Sequence, residues 1–133
     1  MKATVLDASA LLALFFDEPG AEKVERLLAH AAEADKPLFI AAVNWAEVLY
    51  KMERKAGARG LAGARDFERT MPVEVAPVDR ELAEAAAHLK NERSLGLADA
   101  FAAALARSKK ADLVTGDADF RALEKEIRIV WLK

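Results

Sequence analysis

The feature that most constrains this chain is the alternation of short apolar segments with longer segments of helical periodicity. The predicted strands are Ala3–Leu6, Leu38–Ala42, Val73–Val78, Leu113–Thr115 and Ile127–Leu132. Strands separated by helices predict a mostly parallel sheet covered on both faces, because each connection must cross the sheet. We therefore expect an α/β fold, a three-layer doubly wound domain with a mostly parallel five-stranded sheet.

Apolar residues at helical spacing fill the intervals between these strands. The predicted helices are Ala10–Phe16, a helix through Val24, Leu27, Leu28 and Ala31, a helix through Trp45, Val48, Leu49 and Met52 that stops at Gly57, a weaker helix Gly60–Thr70, a helix through Leu82, Ala85, Ala86 and Leu89, then Leu97–Ser108 and Phe120–Glu124. The sequence contains no internal repeat and no linker. Residues 1–133 are therefore expected to form a single domain.

Composition excludes several kinds of chemistry. The 133 residues include no cysteine, which removes disulfides, thiolate metal sites and cysteine nucleophiles, and the two histidines, His30 and His88, lie far apart. A net charge of −2 is unlike that of a basic nucleic-acid coat protein. No apolar run approaches the roughly 20 residues that cross a bilayer, so we expect a cytoplasmic protein with no membrane partner.

Carboxylates follow two of the predicted strands. Asp7 comes directly after the first strand, with Ser9 beside it, and Asp117 follows the fourth strand, with Thr115 and Asp119 beside it. Open α/β sheets bind ligands at the carboxyl ends of their strands. Taken singly, however, each acid is also a favoured helix N-cap.

Two further acids stand on predicted helices. Glu47 lies away from the apolar stripe of its helix, although Asn44 and Glu47 also have the spacing of a capping box. Asp99 is the only polar side chain in the apolar run from residue 97 to 106. A carboxylate buried in such a helix must be neutralised, paired or bound to a metal, and the alternative is satisfaction by the backbone of the first helical turn.

All four acids can meet at one edge of a parallel sheet. Carboxylates held close together repel one another, so the fold keeps such a cluster only if a cation compensates for the charge. Oxygen ligands suit Mg²⁺ or Mn²⁺. The sequence therefore predicts a site for one of these ions built from Asp7, Glu47, Asp99 and Asp117.

The sequence resembles PIN-domain ribonucleases of the VapC toxin type along its whole length. The resemblance lies in four stretches, residues 5–9, 46–48, 97–101 and 113–120, taken in this order. It implies a catalytic acidic quartet at Asp7, Glu47, Asp99 and Asp117, with Ser9, Asn44, Thr115 and Asp119 in supporting positions. It also implies Mg²⁺- or Mn²⁺-dependent cleavage of RNA, a homodimer, and a small antitoxin protein that blocks the acidic cleft.

RNA must approach this acidic cleft past basic side chains. The candidates for phosphate contact are Lys51, Arg54, Lys55, Arg59 and Arg93. Several alternatives remain open: an aspartyl-phosphate enzyme or receiver module, a housekeeping PIN-fold nuclease acting on other RNA or on DNA, and a non-enzymatic α/β binding module whose acids are only helix caps.

Overall fold

The computed structural model describes residues 2–133, which form a central sheet between two layers of helices. The elements are β1 (Thr4–Leu6), α1 (Ala8–Phe15), α2 (Ala21–Ala34), β2 (Leu38–Ala41), α3 (Ala42–Thr70), β3 (Val73–Ala76), α4 (Arg80–Arg93), α5 (Leu97–Lys109), β4 (Asp112–Thr115), a 3₁₀ helix (Ala118–Leu123) and β5 (Ile129–Trp131). None of the helices in this part of the chain is long and apolar enough to cross a membrane.

The five strands pair in the order β3-β2-β1-β4-β5, and every pairing is parallel. This confirms the predicted α/β fold with a five-stranded sheet. Strand β1 lies at the centre, where the order of connections reverses, and this is the position at which open parallel sheets place their ligands. The carboxyl ends of all five strands meet at the same edge.

The sheet is buried on both faces, which explains the short continuous apolar runs of its central strands. Val5 and Leu113 pack on one face against α4 and α5, whereas Leu6 and Val114 pack on the other face against α1, α2 and α3. Helix α5 contributes a run of buried residues from Ala100 to Ala106, small enough to lie close against the strands.

Helix α3 consists of two helical segments that meet at Ala56 and Gly57. Gly57 has φ +61° and ψ −144°, a conformation that side chains with a Cβ rarely adopt. The break coincides with the predicted stop. Beyond it the second segment packs Phe67 edge-on against Phe15 of α1, with ring centroids 4.9 Å apart.

The backbone at Gly57 generates a testable difference between two glycines of α3. Gly57→Ala should lower the free energy of unfolding by about 1–2 kcal/mol, because a Cβ there meets no neighbour but strains the backbone. Gly63→Ala should raise it by about 0.5–1 kcal/mol, since Gly63 is helical, exposed and equally open around a new Cβ. Urea denaturation of both variants measures the difference, and equal effects would contradict this description of the break.

Candidate active site

Asp7 occupies the centre of the site, directly after β1, and only 3% of its surface is exposed. It caps α1 by accepting a hydrogen bond from the Ala10 amide on Oδ1. The Ser9 hydroxyl donates to the same oxygen at 2.6 Å, and the Thr115 hydroxyl donates to Oδ2 at 2.5 Å. Burial raises the pKa of Asp7, and these three hydrogen bonds oppose the rise. Asp7 is therefore both the N-cap of α1 and the buried acid of the site.

Ser9 and Thr115 also connect Asp7 to the loop after β4. Their hydroxyl oxygens accept hydrogen bonds from the backbone amides of Gly116 and Asp117, at 3.0 and 2.9 Å. Each hydroxyl thus donates its hydrogen to the carboxylate and accepts a hydrogen bond from the backbone. The orientation of Asp7 and the path of the chain toward Asp117 are fixed together.

Three other carboxylates lie beside Asp7. One carboxylate oxygen from each of Asp99, Asp117 and Asp119 lies within 4.8 Å of the other two. Asp117 caps the 3₁₀ helix by accepting from the amide of Asp119 at 2.9 Å, so that the loop holds both side chains at the sheet edge. Asp119, predicted only as a supporting residue, is thus part of the tightest group.

The pKa of Asp99 reflects the charges of the whole cluster. Burial, followed by charge repulsion from Asp117, Asp7, Asp119 and Glu47 in that order, raises its pKa to about 6. All four neighbours are residues that the sequence placed in or beside the site. Asp99 is half-buried in the first turn of α5, whose amino end lies at this sheet edge because the helix leads back to the start of β4.

Glu47 lies on α3 and forms an ion pair with Lys51 one turn further along, with Oε2 and Nζ 2.9 Å apart. Hydrogen bonding to Glu47 raises the pKa of Lys51. Lys51, predicted to bind phosphate, therefore neutralises an acid of the site when nothing else is bound.

Asn44 differs from its capping-box interpretation. Helix α3 begins at Ala42 and is capped by Ala41, so Asn44 lies inside the first turn. Asn44 is 1% exposed, and its Nδ2 donates at 3.0 Å to the backbone carbonyl of Ala98, next to Asp99. Its Oδ1 is buried without a hydrogen-bond partner within residues 2–133. Asn44 thus ties the helix of Glu47 to the helix of Asp99.

The predicted basic residues have different surroundings. Arg54 lies over the ring of Tyr50 at 5.1 Å, and the Lys55 ammonium lies 5.4 Å from the ring of Phe16. Arg59 is exposed on the second segment of α3. Arg93 donates two hydrogen bonds to Glu126, at 3.0 and 2.7 Å, so its guanidinium is already engaged.

The donor set fits a hard divalent cation. Asp99, Asp117 and Asp119 offer oxygens close enough to share one ion, and Mg²⁺ and Mn²⁺ prefer carboxylate oxygen with remaining positions open to water or phosphate. Asp7 Oδ2 accepts a single hydrogen bond and keeps a further lone pair.

Comparison with known proteins gives a consistent result. The sequence matches the PIN domain family over residues 4–126. The chain belongs to this family. A search of curated proteins found no match.

Several solved structures share the fold of this PIN domain. DNA-bound VapBC from Salmonella typhimurium aligns with a TM-score of 0.75 and 22% identity over 100% of both chains. VapBC2 of Rickettsia felis, bound to a DNA fragment from its promoter, gives 0.77 and 16% over 96% of this chain and 97% of the other. VapC20 of Mycobacterium tuberculosis, a toxin that cleaves the sarcin–ricin loop, gives 0.64 and 25% over 90% and 94%.

The raised pKa of Asp99 predicts a pH-dependent stability of the metal-free protein. The folded-state pKa of about 6 exceeds the unfolded value of 3.8. The protonated Asp99 carboxyl therefore makes its full contribution to stability below pH 3.8, and this contribution is lost as the pH rises through about 6. Asp99→Asn keeps a neutral side chain at every pH. The free energy of unfolding of Asp99→Asn, relative to that of the wild type, should therefore rise by about 1–2 kcal/mol between pH 4 and 7 after solvent screening.

Urea denaturation across this pH range measures that gain. Glu33→Gln, an exposed carboxylate on α2, is the matched control and should track the wild type. If the free energy of unfolding depends on pH in the same way in the wild type and in Asp99→Asn, the charge of Asp99 does not destabilise the fold.

The hydroxyl of Thr115 generates a second prediction. Thr115→Val keeps the shape but removes the donor to Asp7 and the acceptor for the Asp117 amide. We expect the dissociation constant for Mn²⁺ to rise by about 10-fold or more, as when other outer-shell partners of metal ligands are lost. Thr115→Ser, which keeps the hydroxyl, should stay close to the wild type. Titration calorimetry decides this, and equal affinity of the valine variant would exclude an orienting role.

Proposed function

We propose that this PIN domain is a Mg²⁺- or Mn²⁺-dependent endoribonuclease, the toxin of a VapBC-type toxin–antitoxin pair. The observation that carries the proposal is the convergence of Asp7, Asp99, Asp117 and Asp119 at the sheet edge where open parallel sheets bind their ligands, with Glu47 close enough to influence Asp99. Helix capping accounts only for Asp7 and Asp117, so it does not explain why Glu47, Asp99 and Asp119 lie near the same edge.

The acids divide the work according to their surroundings. Asp99, Asp117 and Asp119 would hold the ion, and Asp7, fixed by Ser9 and Thr115, would complete its binding from the buried side. A bound divalent ion supplies charge stabilisation for the phosphorane-like transition state and acidifies the attacking water. Glu47, which lies outside the group of Asp99, Asp117 and Asp119, would accept the proton of the attacking water.

The chain offers no histidine for an alternative that uses the ribose 2′-hydroxyl. His88 pairs with Glu92 on the exposed side of α4, and His30 lies on α2 near the opposite edge of the sheet, beside Lys2 and Pro37. Attack by water is therefore the reaction that the site supports, and the products would carry a 5′-phosphate and a 3′-hydroxyl.

Substrate would reach the acids along α3. Lys51 and Arg54 lie on the face of α3 that carries Glu47, at i+4 and i+7. When a phosphate enters, Lys51 can exchange its ion pair with Glu47 for a contact to the backbone of the RNA, since Lys is a flexible point charge. Arg93, held by Glu126, is a weaker candidate than the sequence suggested.

The finer parts of the proposal concern partners. The related structures of Salmonella typhimurium and Rickettsia felis are toxin–antitoxin complexes. By analogy we propose a small antitoxin protein that covers the acidic cleft, a homodimer of this chain, and action in the cytoplasm. A housekeeping nuclease of the same fold would share the site but would not arrest growth when expressed alone.

The test of the proposed function is cleavage of matched RNA and DNA oligonucleotides with and without Mn²⁺. Asp7→Asn and Asp99→Asn should each lower the rate of RNA cleavage by at least about 100-fold while the protein stays folded, because each removes a charge that the ion needs. The same substitutions should abolish growth arrest on expression. Glu33→Gln is again the control and should keep full activity.

The end groups of the products and the preferred substrate give separate readouts. Cleavage that leaves a 2′,3′-cyclic phosphate, or full activity in either asparagine variant, would overturn the assignment of the acids. Preferential cleavage of DNA would support the proposed metal site but would show that the enzyme is a deoxyribonuclease and not a ribonuclease.

A further inference from the structure

One exposed aromatic side chain beside the acids is not explained by the fold. Tyr50 is the only tyrosine of the chain and is 46% exposed, although it lies only one helical turn from Glu47. The two tryptophans and the phenylalanines are at least partly covered within the described residues. The exposed ring offers apolar surface and a π-face that a ligand could cover, and tyrosine is enriched where proteins bind partners.

The position of Tyr50 on α3 connects it to the site. At about 100° per residue, Glu47, Tyr50, Lys51 and Arg54 fall within an arc of about 100° of the helix. These four residues are called the Glu47 face. With about 1.5 Å of rise per residue, the Glu47 face extends about 10 Å from the acid cluster to Arg54.

The Glu47 face combines an aromatic ring with positive charge. The Arg54 guanidinium lies 5.1 Å from the centre of the Tyr50 ring, and Lys51 is adjacent to both. Arg54 lies over one side of the ring, while the exposed fraction shows that much of the ring remains open. Aromatic rings and guanidinium planes are the surfaces on which unpaired bases stack, and nearby cations hold the phosphates.

A second exposed apolar side chain belongs to helix α5, which carries Asp99. Leu97, the first residue of α5, is 54% exposed and stands two residues before Asp99. Together with Tyr50 it is one of the two most exposed large hydrophobic residues of the described chain, and each belongs to a helix that carries an acid of the cluster. The charged cleft thus has an apolar side chain on each of the two helices that border it.

We propose that Tyr50, with Arg54 stacked over its ring, binds an unpaired nucleobase of the RNA next to the bond that is cleaved. This rests on the proposed ribonuclease function and adds to it a residue that determines which substrates fit. A base inside a duplex cannot reach the ring, so Tyr50 selects RNA segments in which a base is splayed out. Lys51 and Arg54 contact the phosphates on either side of that base.

The first experiment measures kinetics on a single-stranded RNA oligonucleotide and on the same oligonucleotide with an abasic site beside the cleaved bond. Tyr50→Ala should lower kcat/KM for the complete RNA by about 5- to 100-fold, the range expected for the loss of one stacked base. Tyr50→Phe and Tyr50→Trp should retain activity because they keep a ring. On the abasic RNA, Tyr50→Ala should have little further effect, since ring and base form one interaction.

Met71→Ala is the matched control, because Met71 is also an exposed large hydrophobic residue, at 38%, and lies between α3 and β3, away from the acids. It should leave kcat/KM unchanged on both RNAs. Tyr50→Ala should keep the melting temperature of the wild type. If Tyr50→Ala is as active as wild type, or loses equally on the complete and abasic RNAs, the proposal is wrong. If the wild type cleaves no RNA at all, the proposed function fails instead.

The second experiment observes Tyr50 directly. Labelling with 3-fluorotyrosine gives a single ¹⁹F resonance, because the chain has one tyrosine. In the Asp99→Asn variant with Mg²⁺, this resonance should shift on addition of single-stranded RNA and much less on addition of a duplex of the same sequence. A shift that depends on protein concentration without RNA would instead place a second copy of the chain on Tyr50 and overturn the proposal.

Discussion

Repulsion between carboxylates gathered at one edge of a parallel sheet is the constraint around which this molecule is organised. Parallel strands end at a common edge, and the order β3-β2-β1-β4-β5 puts Asp7 at its centre. An isolated charge at 3% exposure would be very costly. The hydroxyls of Ser9 and Thr115 and the amide of Ala10 make Asp7 tolerable, and the same hydroxyls fix the loop that carries Asp117.

The fold was predictable from the sequence because apolar periodicity and strand order depend on local pattern and general topology. The ends of the strands were harder to predict. The third strand was predicted to run to Val78 but ends at Ala76, because Pro77 has no amide to continue the ladder. The last strand was predicted as Ile127–Leu132 but pairs only over Ile129–Trp131. Apolar character there reflects packing of Ile127 and Leu132 into the two cores rather than strand pairing.

The site was predictable where a residue's position follows from topology. Asp7 and Asp117 follow strands, and Asp99 stands in an apolar helix, so that the structure places all three at the expected edge. Asn44 was predicted as a supporting residue, and its capping-box alternative is excluded because α3 begins at Ala42, two residues before it. Its spacing to buried Val48 was the available hint that it faces inward.

Contacts between distant, flexible side chains were beyond the sequence. Arg93 was one of the candidates for phosphate contact, and it binds Glu126, 33 residues away, in a geometry that depends on how the end of α4 packs. The closeness of Asp119 to Asp99 likewise depends on how tightly the loop after β4 turns. Such contacts arise from tertiary structure, for which neither periodicity nor spacing carries information.

Three different interactions stabilise the acids at this edge, and they link metal binding to folding. Asp7 is held by hydroxyl and amide donors, Glu47 by the Lys51 ammonium, and Asp99 by its tendency to keep a proton up to a pH of about 6. Only the last is lost at neutral pH, so the metal-free fold carries its greatest strain at Asp99. A divalent cation would take over the role of that proton and release it, which makes binding tighter as pH rises. The same charge that destabilises the fold at Asp99 would therefore give the site affinity for such an ion.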